Sequence, residues 1–368
     1  MLIRSIETIP VAVPLIKPFK TALRTVHTAH AVYVKVICED GRTGWGEAPP
    51  THVITGDSVG SITYAVEKVI APPLIGLDIR RRETIFNTLN RSIVHNTSAK
   101  AAIDMAIHDL LGQQADMPLY QLLGGYRNEF ETDFTVSVNS PEEMADDAGR
   151  YNADGFDVLK VKVGIGDINE DIARVKAIRE RIGDAPTIRL DANQGWNAKT
   201  AVRVIRMMED AGLGIELIEQ PVPAIDIEGL KYVTDNTLTP IMADESIFSA
   251  SDALRILQSR AADTINIKLM KSGGIHGALK INALAETYGV ECMVGSMIET
   301  KLGITAAAHF AASQPNVTRF DFDAPLMLAE DIVPGGIVYE GRTIRLPKTP
   351  GLGLDYEQME HLGKGVDG

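Results

Sequence analysis

Lysine side chains stand at the ends of short apolar segments in this sequence, where they could act together on a small substrate. Lys160 and Lys162 lie two residues apart in the segment VLKVK, and Lys268 ends the later segment TINIK. Successive side chains of a strand alternate between its faces, so Lys160 and Lys162 would point the same way. Mutual repulsion and partial desolvation are expected to lower their pKa and to make a neutral amine available as a base.

Three acidic residues follow three successive apolar runs. Asp191, Glu219 and Asp244 come directly after TIRL, IELI and PIMA. Three carboxylates gathered at one place would repel one another strongly without a cation, and hard oxygen ligands suit Mg²⁺ or Mn²⁺ better than zinc. The alternative is that each acid caps the N-terminus of the helix after it, a common role for Asp.

Proton transfer is the chemistry that these residue types favour. Lys162 and Lys268 would face each other if their segments lay across a barrel, with substrate between them and the metal at one end. Two bases on opposite sides of one carbon can remove a proton from one side and return it on the other, which inverts the stereocentre. The alternative is a buried ionic network of the lysines and the acids, which is costly to bury.

A further acidic pair, Asp321 and Asp323, repeats the spacing of two. It could hold a cationic substrate group such as an ammonium, or it could be a solvated strand end.

Eight β-rich segments could position these residues. The predicted strands are Phe134–Val138, Val158–Val163, Thr187–Leu190, Ile215–Ile218, Thr239–Met242, Thr264–Ile267, Val290–Val294 and Val317–Phe320. Amphipathic helices separate most of them, and the clearest runs from Ile168 to Ile182 with its apolar residues on one face. Eight strands alternating with seven helices predict a TIM-type barrel, whose chemistry lies at the C-terminal ends of its strands.

The regions before and after these segments have a different character. Val32–Cys38 alternates like a β-strand, GRTGWGE is typical of a turn into another strand, and Ser98–Leu123 is helical in composition. We therefore predict an α/β protein with three parts. They are an α+β capping domain (residues 1–125), a modified TIM (β/α)7β barrel (residues 126–322) and a C-terminal strap that completes the cap (residues 323–368).

The composition excludes several classes of protein. With 368 residues, 45% of them hydrophobic, the chain can bury a large core. A net charge of −13 without a basic run argues against nucleic-acid or anionic-membrane partners. The two cysteines, Cys38 and Cys292, exclude a disulfide framework or a cysteine zinc site. Without a signal-peptide pattern or a long apolar run, the protein is expected to be cytoplasmic.

The strand-end residues resemble a known family. The pattern of Lys160-x-Lys162 with the motifs DAN, EQP and ADES, followed by Lys268, resembles the enolase superfamily in its muconate-lactonizing-enzyme subgroup. The motif Asp321-x-Asp323 narrows the resemblance to dipeptide epimerases. Segments such as GWGEAPP, VGSMIETKLGI and TRFDFDAP resemble those of L-Ala-D/L-Glu epimerases. The likeness covers the chain from about residue 5 to about residue 353.

The resemblance implies a role for each site residue. Asp191, Glu219 and Asp244 would hold Mg²⁺, with Mn²⁺ as the alternative ion; Lys162 and Lys268 would be the acid/base pair, and Lys160 a fixed positive charge at the developing enolate oxygen. Asp321 and Asp323 would hold the substrate ammonium, Arg24 the side-chain carboxylate of a C-terminal Glu, and Thr135, Ser296 and Ile298 further parts of the substrate. The loop Thr51–Asp57 would close over the site. Glu299 and Lys301 follow the seventh strand and receive no role.

The implied reaction is Mg²⁺-dependent conversion of L-Ala-D-Glu into L-Ala-L-Glu by two-base 1,1-proton transfer through a metal-stabilised enediolate. The family further implies recycling of cell-wall peptides by a homo-oligomer. One alternative is an N-acylamino acid racemase, o-succinylbenzoate synthase or cycloisomerase that uses the same lysines. A Schiff-base aldolase would also suit a lysine on the sixth strand but leaves the carboxylates unexplained. The last alternative is a barrel that binds metal and peptide without turnover.

Overall fold

An antiparallel sheet opens the fold. The computed structural model describes residues 1–362. Its first strands, β1 (Ile3–Lys20), β2 (Thr25–Cys38) and β3 (Thr43–Ala48), pair in the order β1-β2-β3. Strand β1 was not predicted from the sequence, because prolines interrupt its apolar runs. As an edge strand β1 tolerates Pro10 and Pro14, whose missing N–H groups need no partner on the open side.

A group of helices covers this sheet. They are α1 (Val59–Tyr64), a π-helical segment (Ala65–Ile70), α2 (Ala71–Leu74), α3 (Arg82–Ser92), α4 (Thr97–Gln114) and α5 (Leu119–Leu123). Helix α4 is buried along most of its length and packs directly against β3. A Cβ atom on Gly44 or Gly46 would collide with the carbonyl oxygen of Ala106 or Ala102. The glycines of GRTGWGE therefore permit the close approach of a strand and a helix.

A parallel sheet of eight strands forms the centre of the molecule. After the short strand β4 (Glu129–Glu131) come β5 (Phe134–Val136), β6 (Val158–Lys162), β7 (Thr187–Asp191), β8 (Ile215–Glu219), β9 (Ile241–Ala243), β10 (Thr264–Ile267), β11 (Cys292–Val294) and β12 (Val317–Phe320). Each strand from β5 to β12 pairs in parallel with the next. The two sheet edges meet where Phe322 N donates to Thr132 Oγ1 at 2.8 Å. The sheet is thus curled into a barrel, and the predicted fold class is confirmed.

Helices connect the barrel strands, and their apolar faces pack on the sheet. They are α6 (Pro141–Ala153), α7 (Ile168–Ile182), α8 (Ala198–Asp210), α9 (Ile227–Asn236), α10 (Ala250–Ser259), α11 (Leu269–Ser272), α12 (Ile275–Thr287) and α13 (Lys301–Ser313). The connection from β10 to β11 holds two helices, α11 and α12, where the sequence predicted one. Gly273 and Gly274 separate them with φ angles of 72° and 109°, and Asp104 Oδ1 accepts from Ile275 N at 2.6 Å. Across residues 1–362, none of the helices combines the length and apolar character needed to traverse a lipid bilayer.

The C-terminal segment returns to earlier parts of the chain. After a 3₁₀ turn (Ala324–Met327) it forms β13 (Val338–Glu340), β14 (Thr343–Arg345) and α14 (Tyr356–Met359), and β14 pairs with β4. Asp109 on α4 accepts hydrogen bonds from Trp45 N (3.1 Å), Leu352 N (2.8 Å) and Tyr356 Oη (2.5 Å). The segment thus contacts both the first helices and β4, which forms a separate small sheet with β13 and β14. The unit limits near residues 125 and 322 stay predictions, and the last predicted strap residues, 363–368, lie outside the described residues.

Candidate active site

Strand alternation places the lysines of β6 inside the barrel. Val161 belongs to the apolar core that the helices cover, so the flanking Lys160 and Lys162 point to the interior. Both side chains are buried. Together with Lys268 they line a cavity at the C-terminal end of the barrel. The prediction that the two β6 lysines point the same way is confirmed, and so is their approach to Lys268.

The three predicted acids stand side by side behind these lysines. Asp191 and Glu219 are register neighbours at the ends of β7 and β8, and Asp244 directly follows β9. All three side chains are buried. Lys162 Nζ donates to Asp191 Oδ2 at 2.6 Å, and Lys268 Nζ donates to Asp244 Oδ2 at 2.7 Å. Lys160 Nζ lies 2.8 Å from Glu219 Oε2, so each acid is in contact with one of the cavity lysines.

These contacts raise the pKa values of two of the cavity lysines. Burial disfavours the ammonium of Lys268, but the charges of Asp244 and Glu219 outweigh burial and raise its pKa. Burial likewise opposes the charge of Lys160, and the surrounding carboxylates, Asp321 first among them, raise its pKa well above the usual value. The expectation of a lowered value was wrong for Lys160, because it counted repulsion between lysines and not attraction by the acids behind them.

The oxygen atoms around the acids suit a hard cation. Within residues 1–362, no three acidic, His or Cys side chains converge as a ready ligand set, because the acids are turned to the lysines. Two buried oxygens in this part of the described chain, Glu245 Oε2 and Asn193 Oδ1, nevertheless have no hydrogen-bond donor. Burial and nearby carboxylates raise the pKa of Glu219 to about 7 and that of Glu245 to about 8. Excess negative charge on oxygen donors fits Mg²⁺ and does not fit a zinc site of His and Cys.

A second acidic pair lies on another side of the cavity. Phe322 packs in the apolar core, which leaves Asp321 and Asp323 on the cavity wall. Asp321 Oδ2 accepts from Lys160 Nζ at 2.7 Å, whereas Asp323 Oδ2 accepts from Thr135 N at 2.6 Å. Burial and the charge of Asp321 raise the pKa of Asp323 to about 7. Asp323 therefore holds a carboxylate that a cationic ligand group would stabilise.

Residues from the first unit form one wall of the cavity. Arg24, in the loop between β1 and β2, lines it together with Val53 and Ile54 from the predicted loop Thr51–Asp57. Burial lowers the pKa of Arg24, but a guanidinium remains charged at neutral pH. Ser296 and Ile298, which follow β11, complete this side of the wall. Of the twelve predicted site residues, the structure brings nine to one cavity wall and places the three acids directly behind it.

Two family models cover most of the chain. Residues 3–124 match the N-terminal domain of the mandelate racemase/muconate lactonizing enzyme family, and residues 143–360 match the enolase C-terminal domain-like family. The chain belongs to the enolase superfamily. The resemblance seen in its strand-end motifs is thereby confirmed.

Individual relatives of this enolase-superfamily chain have known activities. The L-Ala-D/L-Glu epimerase of Bacillus subtilis is 62% identical over 96% of this chain and 97% of its own length, and its substrate-liganded structure superposes with a TM-score of 0.96 over 96% and 99% of the two chains. A dipeptide epimerase of Enterococcus faecalis, in complex with Mg and L-Leu-L-Tyr, is 46% identical with a TM-score of 0.93 over 96% and 99%. An N-succinyl-L-Arg/Lys racemase of Bacillus cereus is 36% identical over 97% and 96%. The prediction that this superfamily member is an isomerase is confirmed by the first of these similarities.

Several polar residues around the site of this superfamily member were not predicted. Asn266 Nδ2 donates to Glu219 Oε1 at 2.6 Å, and Asn193 Nδ2 donates to Glu245 Oε1 at 3.2 Å. Lys271 Nζ contacts both Asp244 and the carbonyl oxygen of Asn266. Asn266 could have been found from its spacing of two before Lys268, whereas Lys271 carries no such signal because it reaches the site from the short helix α11.

Proposed function

We propose that this enzyme epimerises the C-terminal residue of dipeptides, with L-Ala-D-Glu and L-Ala-L-Glu as the interconverted pair. The observation that carries the proposal is the approach of Lys162 and Lys268 to one cavity from strands four places apart in the barrel. Two amines that reach one cavity from separated strands suit the removal of a proton from one side of a carbon and its return on the other. The relatives from B. subtilis and E. faecalis support the assignment to dipeptides.

The proton is moved by the chain's own lysines in this scheme. In its free-amine form, one of Lys162 and Lys268 accepts the α-proton, and the other, as an ammonium, donates a proton from the opposite side. Lys160 Nζ lies within 3.4 Å of Asp191, Glu219 and Asp321, so its charge is held in place beside the reacting region. A fixed positive charge of this kind stabilises negative charge as it forms on the substrate oxygens, which is usually the largest catalytic contribution.

Asp191, Glu219 and Asp244 are the residues that would hold Mg²⁺. When bound, the ion supplies a Lewis acid for the negative charge on the substrate carboxylate. Lys162 and Lys268 contact two of these acids, Asp191 and Asp244, so the acids would serve both as ligands of the ion and as hydrogen-bond partners of the lysines.

The ends of the cavity define the substrate. Asp321 and Asp323 would accept the free ammonium of the N-terminal residue, and Arg24 would meet the side-chain carboxylate of a C-terminal Glu. Thr135, Ser296 and Ile298 line the space between these charges. A carboxylate pair selects a free ammonium over an acylated amine, because Asp321 is already paired with Lys160 and an N-acyl group would leave the buried charge of Asp323 without a cation.

An N-acylamino acid racemase is the second candidate function. The N-succinyl-L-Arg/Lys racemase of B. cereus is the similarity that favours it. The Asp321/Asp323 pair argues for the dipeptide, and the carboxylates behind the lysines argue against a Schiff-base aldolase. The recycling role, the cytoplasmic location and the homo-oligomer stay predictions.

The decisive experiment follows the α-proton of the Glu residue by NMR. L-Ala-D-Glu is incubated in D₂O with the protein and Mg²⁺, beside a parallel sample of an N-succinyl amino acid. We expect exchange of the α-proton together with appearance of the second diastereomer in the dipeptide sample. Exchange and racemisation in the N-succinyl sample alone would replace the proposal by the second candidate, and no exchange in either sample would contradict both.

A further inference from the structure

A buried acid joins the first unit to the barrel next to the cavity. Glu47 on β3 is fully buried and accepts three hydrogen bonds from the start of α13. Glu47 Oε1 accepts from Thr300 N at 2.8 Å, and Oε2 accepts from Thr300 Oγ1 at 2.6 Å and from Gly303 N at 2.8 Å. Glu47 is thus the acidic cap of a helix that lies more than 250 positions later in the chain.

A second buried acid lies against the same turn. Glu299 is 3% exposed, and its Oε1 accepts from Met297 N at 2.8 Å. A Cβ atom on Gly303 would collide with Glu299 Oε2 and would lie 3.1 Å from Glu47 Oε2. The two carboxyl groups therefore both lie close to Gly303, where any residue other than glycine would collide with them. Burial raises the pKa of Glu47 to about 7, and burial with the charge of Glu47 raises that of Glu299 to about 8.

The segment between these acids is part of the cavity wall. Ser296, Met297 and Ile298 all line the cavity, and Glu299 binds the backbone of Met297. Ile298 also packs in a small apolar cluster with Phe19 and Ala29 from the first unit. The hydrogen bonds of Glu47 and Glu299 thus act on both ends of the segment 296–300, whose middle residues face the substrate space.

We propose that Glu47 is a positioning residue that, together with Glu299, holds the segment 296–300 in the geometry that binds substrate. The proposal rests on the proposed function for the identity of the substrate, but its contacts lie outside the lysines and the acids behind them. It predicts that substrate binding depends on two carboxyl groups that do not touch the reacting atoms, and that binding weakens when Glu299 loses its proton and both groups are charged.

The titratable and charged groups around Glu47 and Glu299 are neutral, paired with another group, or opposite in sign to one another. Tyr33 on β2 lies 2.7 Å from Thr300 Oγ1, and the pKa of its phenol is raised well above the usual value by burial and by Glu47, so it stays neutral. Lys301 is paired with Asp331 of the strap. From the barrel mouth, Lys268 and Asp321 act on Glu299 with opposite signs. Loss of the proton from Glu299 therefore leaves two carboxylates, Glu47 and Glu299, that repel each other at the start of α13.

Two substitutions test the proposal on the full-length protein. Glu47→Gln turns an amide N–H toward the N–H donors of Thr300 and Gly303, so we expect KM for L-Ala-D-Glu to rise about tenfold or more, with a smaller change in kcat. Glu299→Gln mimics the protonated acid, so we expect nearly wild-type kinetics at neutral pH. We further expect the wild-type KM to rise above about pH 8, as the pair loses its proton, and Glu299→Gln to lack that rise.

The control and a readout without turnover separate this role from simple destabilisation. Asp109→Asn removes the charge of another buried acid that contacts β3 but not the segment 296–300, and we expect it to lower the melting temperature without changing KM. Because the proton of Glu299 stabilises the native state below its folded pKa, stability falls as pH rises toward about 8, and Glu299→Gln should gain melting temperature over the wild type across that range.

Each possible result points to one conclusion. Unchanged KM in a folded Glu47→Gln variant, or an alkaline rise in KM that survives in Glu299→Gln, would overturn the positioning role. An inactive wild-type protein in the same assay would instead contradict the proposed function. In that case the melting comparison still tests the proton on Glu299, and equal pH dependence of the wild type and Glu299→Gln would refute it.

Discussion

Replacing the two cavity lysines one at a time separates proton removal from inversion. Lys162→Met and Lys268→Met each delete one amine and keep a side chain of similar length. Each deletion leaves the nearby acid with a second cation, because Lys160 lies 3.4 Å from Asp191 and Lys271 is paired with Asp244. The two variants should therefore fold and should keep the other base in place.

The magnitudes follow from these contacts. Breaking a buried ion pair outright costs about 3–5 kcal/mol, and with a second lysine in contact we expect a loss of about 1–3 kcal/mol in the free energy of unfolding. A positioned acid or base contributes about 10²–10⁴-fold to a rate, so inversion should fall by about 10³-fold or more in either variant. Removal of the α-proton by the remaining lysine should persist for the one epimer whose proton faces it.

The assay uses each epimer of the dipeptide separately in D₂O. We expect Lys162→Met to exchange the α-proton of one epimer only and Lys268→Met that of the other, with little inversion in either case. Lys231→Met, in an exposed pair with Asp235 on α9, is the matched control and should behave as the wild type. Loss of exchange for the same epimer in both variants, or inversion within tenfold of the wild-type rate, would refute the two-base arrangement.

Four further outcomes can be measured. Asp323→Asn should raise KM for dipeptides by about tenfold or more, because a charge-assisted hydrogen bond to the ammonium is worth about 1.5–3 kcal/mol, and it should spare N-succinyl substrates. In the wild type, burial and Asp321 raise the pKa of Asp323 to about 7; because the anion binds the ammonium, KM should fall as pH rises through that value, and a steady-state pH series should show no such fall in Asp323→Asn. Dialysis against EDTA should abolish turnover and added Mg²⁺ should restore it, with a rise of a few degrees in melting temperature on binding; full activity after EDTA would contradict a metal requirement. Asp109→Ala should lower the free energy of unfolding in urea by about 2–5 kcal/mol, since three buried donors lose their acceptor, and an unchanged midpoint would show that these bonds contribute nothing.

The barrel and the central residues of its site could be predicted because both follow from the alternation of side chains along a strand. A strand that is covered by helices on one side places every second residue inside, so Lys160 and Lys162 could be assigned to the cavity from their spacing alone. The acids could be located in the same way, because Asp191 and Glu219 end their strands in register. At these positions the predicted strand ends, the apolar runs and the charged residues all indicate the same site.

Features that depend on contacts between distant segments could not be predicted in this way. The pKa of Lys160 is raised because Asp321 and other carboxylates surround it, and repulsion between lysines gave the opposite expectation. Glu47 belongs to a recognised motif, but nothing in its neighbourhood indicates that its partners are Thr300 and Gly303. Strand β1 was missed because proline is unfavourable in most strands, and only its place at the sheet edge makes it tolerable.

The closure of the molecule by its C-terminal segment sets an order of assembly during synthesis. Asp109 receives one donor from Trp45, which is translated before it, and two from Leu352 and Tyr356, which are translated 243 and 247 residues after it. Strand β4 must likewise wait for β14 before it gains its partner. A nascent chain halted before these later residues keeps a buried acid incompletely satisfied and a strand edge open, so the native packing around Asp109 and β4 is completed only after they have been made.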